Sequence, residues 1–350
     1  MPVMTSRRLK EILDRFPSLR IAVVGDFFLD KWLEIDRSLD EPSLETGLTA
    51  YQVRAKRLFA GAAGTALSNL SALEAGSLYA LGFVGDDGEG FELRRILQNM
   101  GVNIDSLVVS DKLMTPTYTK PVFLREGGEE ETNRLDHRNT RPTPPDIEER
   151  IIDSIRKVLP RVDALIALDQ LVSPGVGVLT PRVREELGKA ALAYPKVIFY
   201  ADSRAFINEF RNMIVKCNDL EAAKVFYPGM EGRADVEQLK ECLLRLAEIT
   251  GRQAFITCGE KGVLGMDERG RPSLIPAVVQ EGRIDTVGAG DACTAGIVGT
   301  LCAGGTALEA AFVGNLVSSI TIRIIGSAGT ATRGQVAARH EAYYGAGGRE

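Results

Sequence analysis

Short apolar runs recur along the chain, and between them lie segments whose apolar residues are spaced three and four apart. Alternation of strand-like and helix-like patterns predicts an α/β fold, a mainly parallel sheet with helices on both faces. Strands are expected at 19–25, 78–84, 164–168, 197–200, 213–216 and 254–257. Helices are expected where Leu9, Ile12, Leu13 and Phe16 share a face, over 64–75, and around Phe91, Ile96, Leu97 and Met100. Thr180-Pro181 marks another helix start, an N-cap followed by proline at the first helical position, and Val236, Leu239, Leu243 and Leu246 mark an apolar helix face.

Two segments break this rhythm. Residues 32–58 and 117–139 carry alternating half-polar patterns, as in Tyr118, Lys120, Val122 and Leu124, and predict a small β lid outside the main sheet. The polar run 125–132 is expected as its exposed turn. The uncharged stretch 292–308 is studded with Gly, Thr and Cys and interrupted by Gly304-Gly305, so it predicts a buried core helix and not a membrane span. The expected organisation is one domain over 1–350 with a lid formed by 32–58 and 117–139.

Composition narrows the function classes. The 350 residues, 45% hydrophobic and 25% charged, describe a globular chain with material for a sizeable core, which excludes disordered and disulfide-stapled classes. Lys+Arg 42 against Asp+Glu 47 gives no general attraction to nucleic-acid phosphates or anionic lipid. Cys217, Cys242, Cys258, Cys293 and Cys302 form no C-x-x-C pair, which fits free thiols and a cytoplasmic location, and only His137 and His340 are available to a histidine metal site. The N-terminus lacks the continuous apolar stretch of a secretory signal.

Candidate chemistry concentrates at 285–291. Gly288, Ala289 and Gly290 let backbone N–H groups turn inward at a helix N-terminus, where the positive end of the helix dipole suits a transferring phosphoryl group. Asp291 at the edge of this anion hole can accept a proton from an attacking alcohol. A tight turn with Asp291 complementing the dipole is the structural alternative, and spacing leaves both open. No G-x-x-x-x-G-K-[ST] loop is present, nor a G-x-G-x-x-G directly after a strand.

Weaker signals lie elsewhere. Thr257, Gly259 and Gly262 follow a strand and either approach a nucleotide or form a turn. Asn218 and Glu221 can hold Mg²⁺ through its waters, or cap a helix. Asp26, after the first strand, and Asp30 can accept bonds from sugar hydroxyls, or sit in turns. Gly61 and Gly64 permit close approach of a ligand or of a packed helix.

Together and in this order, Gly25-Asp26, 61–64, Asn218-x-x-Glu221, Thr257-x-Gly259 and 285–291 resemble the ribokinase-like, or PfkB, family of carbohydrate kinases, from about Leu19 to Val336. The segment 285–291 is close to that family's D-T-x-G-A-G-D signature. Gly25 to Trp32, Glu41-Pro42, Thr117 to Lys120 and Arg134-Leu135-Asp136 resemble the kinase portion of its heptose 7-phosphate kinase branch. Some members of that branch carry a nucleotidyltransferase domain, for which the length leaves no room.

The resemblance implies a doubly wound ribokinase-like fold and ATP- and Mg²⁺-dependent phosphorylation of a sugar or sugar-phosphate hydroxyl. It makes Asp291 the catalytic base and the amides of Ala289, Gly290 and Asp291 the anion hole. It places Asp26, Asp30, Gly61 and Thr65 toward the sugar, Asn218 and Glu221 near Mg²⁺ and the phosphates, and Thr257, Gly259, Gly262 and Asn315 on the ATP side, Asn315 near the adenine. Lys120 and Arg134 are compatible with an acceptor that already bears a phosphate. The carbonyls of 285–287, at Asp285, would serve a monovalent cation such as K⁺. Two departures stand out: Thr65 occupies the position of a usual Asn, and Asp169-Gln170 that of a usual Asp-Tyr. Because a fold does not fix the acceptor, a nucleoside or other small-alcohol kinase stays an alternative, and Thr65 keeps a sugar-binding or regulatory protein with little turnover as another. No nucleic-acid or membrane partner is expected, and the open lid strands offer a route to a homodimer.

Overall fold

Ile21, Ala22, Val23 and Val24 are fully buried in succession, which a strand achieves only when both faces of its sheet are covered. Ile21 and Val23 belong to one apolar core and Ala22 and Val24 to another, so two cores flank the sheet. A computed structural model describes residues 3–278 and 282–345 of the protein.

The chain begins with α1 (Ser6–Leu13), β1 (Arg20–Gly25), β2 (Phe27–Ile35), β3 (Glu41–Pro42), β4 (Thr49–Ala50), β5 (Val53–Ala62) and α2 (Ala63–Ala72). It continues through β6 (Ser77–Gly85), α3 (Gly88–Asn99), β7 (Val102–Asn103), β8 (Leu107–Ser110), β9 (Thr117–Arg125), β10 (Gly128–Glu131) and β11 (Leu135–His137). Next come α4 (Pro145–Val158), β12 (Ala164–Asp169), α5 (Pro181–Ala193), β13 (Ile198–Ser203), β14 (Ile214–Asn218), α6 (Asp219–Phe226) and α7 (Val236–Thr250). The described chain closes with β15 (Ala254–Thr257), β16 (Gly262–Met266), β17 (Pro272–Pro276), α8 (Ala289–Cys302), α9 (Ala307–Thr321) and α10 (Arg333–Gly345).

The main sheet runs β17-β16-β15-β14-β13-β12-β1-β6-β7, with β8 also paired to β6. Pairing is parallel from β15 across to β7 and antiparallel at the β15-β16-β17 edge. The expected strands and helices are present, with two instructive differences. Strands β13 and β14 run on past their apolar stretches to Ser203 and Asn218. In α3 the buried face is carried by Leu93 and Leu97 while Phe91 is exposed. The uncharged stretch 292–308 is not one helix: it is buried as α8, breaks at 303–306 around Gly304-Gly305 and enters α9, and Gly296 packs so closely on α9 that a Cβ there would stand 2.9 Å from the Cα of Gly314. No helix among the described residues is long and apolar enough to cross a membrane.

The lid is a separate sheet of order β10-β9-β2-β5, with β11 on β9. Its boundaries correct the expectation of 32–58 and 117–139. Strand β2 opens at Phe27, directly after Asp26, and β5 reaches Ala62 at the start of α2, because Phe27, Phe28 and Leu29 pair with Ala62, Gly61 and Ala60. The run 125–132 is not only a turn, since Gly128–Glu131 pairs back on β9 as β10. Between β2 and β5, the β3–β4 hairpin leaves Leu44, Leu48 and Tyr51 exposed, and Val53 at the start of β5 is exposed as well.

Candidate active site

An open cleft of about 620 Å³ lies where the C-terminal ends of β13, β14 and β15, the N-terminus of α8 and the inner face of the lid converge. In open α/β sheets the carboxyl ends of the strands form such ligand crevices, because the connections leave there and helix N-termini point in.

Gly288 caps α8 in the left-handed conformation (φ 76°), where a Cβ would also meet Ala328 at 3.0 Å and Thr65 at 3.2 Å. The Ala289 amide donates to Thr286 O at 3.2 Å, so it closes the turn and is not a free member of the expected anion hole. Gly290 and Asp291 follow in the first helical turn, whose N–H groups lack intrahelical acceptors. Asp291 lines the cleft, half-buried, and its carboxyl is pushed up to about 7, first by burial and then by the charge of Asp202, against the pull of Lys216 and Arg204. A carboxylate poised near neutrality beside unpaired helix amides is equipped for proton abstraction next to an anion.

From the lid, Asp30, Lys120 and Arg134 face the same cleft. Burial raises the Asp30 carboxyl, and Lys120 and Arg134 oppose that rise. Gly61 makes room for this carboxylate: a Cβ there would stand 2.6 Å from Asp30 Oδ2. Gly64 instead serves helix packing, where a Cβ would meet that of Ala60 at 2.5 Å. Between them Ala62 lines the cleft with φ 52°, a left-handed value that favours glycine. Thr65 also lines the cleft, its hydroxyl donating to Ala60 O at 3.4 Å.

Asp26 lies under the cleft and not on its wall. It is buried, with Oδ1 accepting from Val178 N at 2.8 Å and Oδ2 from Gln170 N at 3.1 Å, so it holds the 170–178 loop.

On the opposite side, Asn218, Glu221 and Thr257 line the cleft. Asn218 Oδ1 accepts from Glu221 N and Glu221 Oε2 from Asn218 N, each at 2.8 Å, so the capping box is formed and Glu221 keeps its other oxygen for the cleft. No cluster of three or more His, Cys, Asp or Glu able to hold a metal occurs among the described residues. The donors Asn218 and Glu221 fit a magnesium ion carried mainly by phosphates and water.

Other expected residues have structural places. Gly259 and Gly262 shape the β15–β16 hairpin, where a Cβ on Gly262 would stand 2.0 Å from Ile275 O. Asn315, buried in α9, donates to the carbonyls of Ile275 and Pro276 at 3.1 Å each and supports β17 from behind. Asp285 accepts from Val287 N at 3.0 Å and Gly326 N at 3.1 Å, fixing the loop ahead of α8.

Three charged lining residues were missed from sequence, Asp202, Arg204 and Lys216, and Gln170, singled out there only as a departure, lines the cleft as well. Lys216 Nζ stands 2.6 Å from Asp202 Oδ2, and Arg204 Nε donates to Gln170 Oε1 at 2.8 Å. The available signal was polar side chains ending otherwise apolar strands, at the sheet edge where ligands bind.

A family model described as pfkB family carbohydrate kinase matches residues 20–332. The bifunctional protein HldE of Wolinella succinogenes is 30% identical over 320 residues, covering 91% of this chain and 64% of the relative. The HldE of Desulfatibacillum aliphaticivorans is 27% identical over 321 residues, 89% of this chain and 61% of the relative. The chain thus spans less than two thirds of the length of either. Arabidopsis thaliana ribokinase, solved in complex with ribose and ATP, superposes with a TM-score of 0.66 at 19% identity over 92% of this chain and 98% of that one, which identifies the fold as ribokinase-like.

Proposed function

The chain belongs to the pfkB family of carbohydrate kinases, and from that premise we propose that it moves the γ-phosphoryl group of ATP onto a hydroxyl of a sugar phosphate, a heptose 7-phosphate being the acceptor to test first. The observation carrying this reading is one cleft that holds a near-neutral carboxylate at a helix N-terminus and, facing it from the lid, Lys120 and Arg134. The HldE relatives direct attention to a heptose phosphate.

Asp291 accepts the proton of the attacking hydroxyl as its oxygen forms the new bond to phosphorus. The bond from phosphorus to the bridging oxygen breaks, ADP leaves with the electron pair, and the amides of Gly290 and Asp291 stabilise the charge in transit. Bound Mg²⁺ would neutralise phosphate charge near Glu221. A monovalent cation at the carbonyls of 285–287 would belong to the same loop. The exposed Leu44, Leu48 and Tyr51 support self-association through the lid.

A screen of sugars, sugar phosphates and nucleosides with Mg·ATP, in K⁺ and in Na⁺ buffer, tests the reading. Heptose 7-phosphate should be phosphorylated, and Asp291→Ala should lower the rate by about 10²–10⁴-fold. Preference for a nucleoside would replace the acceptor. ADP formation no faster than in the Asp291→Ala control, despite ligand binding, would leave a binding protein.

A further inference from the structure

Lys216 is the buried lysine among the described residues, and it is not buried in a core. Strand β14 presents it to the cleft wall with its side chain 4% exposed, opposite Asp202 of β13 in register. Asp202 Oδ2 lies 2.6 Å from Nζ, and a Cβ built on Gly290 would stand 3.4 Å from the same atom. The ammonium is therefore wedged between a carboxylate and the first turn of α8.

Burying a lone ammonium is costly, and a carboxylate partner keeps it charged. An ammonium carries three donors. Asp202 takes one, and no other acceptor for Lys216 is found among the described residues. A buried cation with donors to spare, beside helix amides that also lack acceptors, forms a site for an anion with several oxygens.

We propose that Lys216 is a further catalytic residue, donating to the phosphoryl group in transit and completing the anion hole begun by the Gly290 and Asp291 amides. Asp202 is its positioning partner. The inference rests on the reading of α8 as the phosphoryl site, and it adds a charged donor to what that reading contains. Bond changes at phosphorus are those already given; Lys216 stays protonated throughout.

The test is Lys216→Met combined with Asp202→Asn, so that no buried charge is left unpaired. Its melting temperature is compared with wild type, and rates are measured with Mg·ATP and heptose 7-phosphate. The expected result is a folded protein whose kcat is lower by about 10²–10³-fold, the loss typical of one oxyanion-hole donor, with KM values changed by less than about threefold. A folded double variant that keeps its kcat, or whose loss lies in KM, overturns the assignment.

The wild-type protein supplies a second readout that needs neither variant nor acceptor. With ¹⁵N-labelled lysine, the shielded ammonium signal should shift on adding Mg and the γ-imido analogue of ATP, and not on adding Mg·ADP. Equal responses to the two nucleotides overturn the assignment as well. Asp291→Asn is assayed alongside. If it keeps the wild-type rate, the reading of the whole site fails; if it falls while the double variant does not, only the role of Lys216 fails.

Discussion

At the residue scale, the proposed chemistry turns on the charge state of Asp291. As the proposed base it acts only when ionised, and burial together with Asp202 pushes its carboxyl up to about 7. Turnover at low substrate should therefore rise with pH through an acid limb near 7, where an ordinary aspartate would place it near ~3.9. A kcat/KM profile flat from pH 5 to 9 would show that this proton transfer does not control the rate. Asp291 was legible in the sequence as an aspartate after small residues at a helix start, and it lines the cleft in the first turn of α8. Asp202 was not, because the strand reading stops at Tyr200 and β13 continues to Ser203; Lys216 falls inside its expected strand, but a strand pattern does not show that its side chain meets a carboxylate on the neighbouring strand. Asp26 and Asp285 were legible as unusual, but the backbone amides that their carboxylates hold were not, since those amides lie far away in the chain or across a loop.

At the scale of elements, the lid brings positive charge to the cleft on aromatic supports. Lys120 Nζ stands 4.6 Å from the centre of the Trp32 ring, and the Arg134 guanidinium 4.1 Å from that of Tyr118. Arg134 is also held by Asp136 through two bonds, 2.6 and 2.9 Å, whereas stacking orients Lys120 without neutralising it, leaving it able to meet an acceptor phosphate. Lys120→Met should raise KM for heptose 7-phosphate by about 10–100-fold, the worth of one charge-assisted bond, and leave KM for ATP unchanged. An equal rise for an unphosphorylated sugar would move Lys120 from phosphate recognition to lid closure. The period of two in 117–124 made β9 readable. The start of β2 at Phe27 was hidden, because Gly25-Asp26 looks like a strand end followed by a turn when it is a single step from one sheet into another.

At the scale of the molecule, the joint between sheet and cleft rests on two buried carboxyls. Asp26 holds the 170–178 loop, while Asp169 accepts from Ser203 Oγ at 2.8 Å and lies 3.5 Å from the buried Arg184. Burial pushes Asp26 up to about 6; burial and the charge of Asp26 push Asp169 up to about 8. Both folded values exceed the ~3.9 of an unfolded aspartate, so the native state binds protons more tightly than the unfolded one. The stability this contributes is fully present below that unfolded value and is lost as pH rises through about 6 and then about 8. The melting temperature should thus fall by a few degrees between pH 6 and 9, the reverse of a domain whose carboxylates are held ionised by salt bridges. Asp169→Asn should flatten that fall, because an amide keeps an acceptor for Ser203 without a charge to titrate. A melting temperature that instead rises over this range, in the wild type, would mean that Arg184 holds Asp169 ionised and that the fold is tied together there by an ion pair.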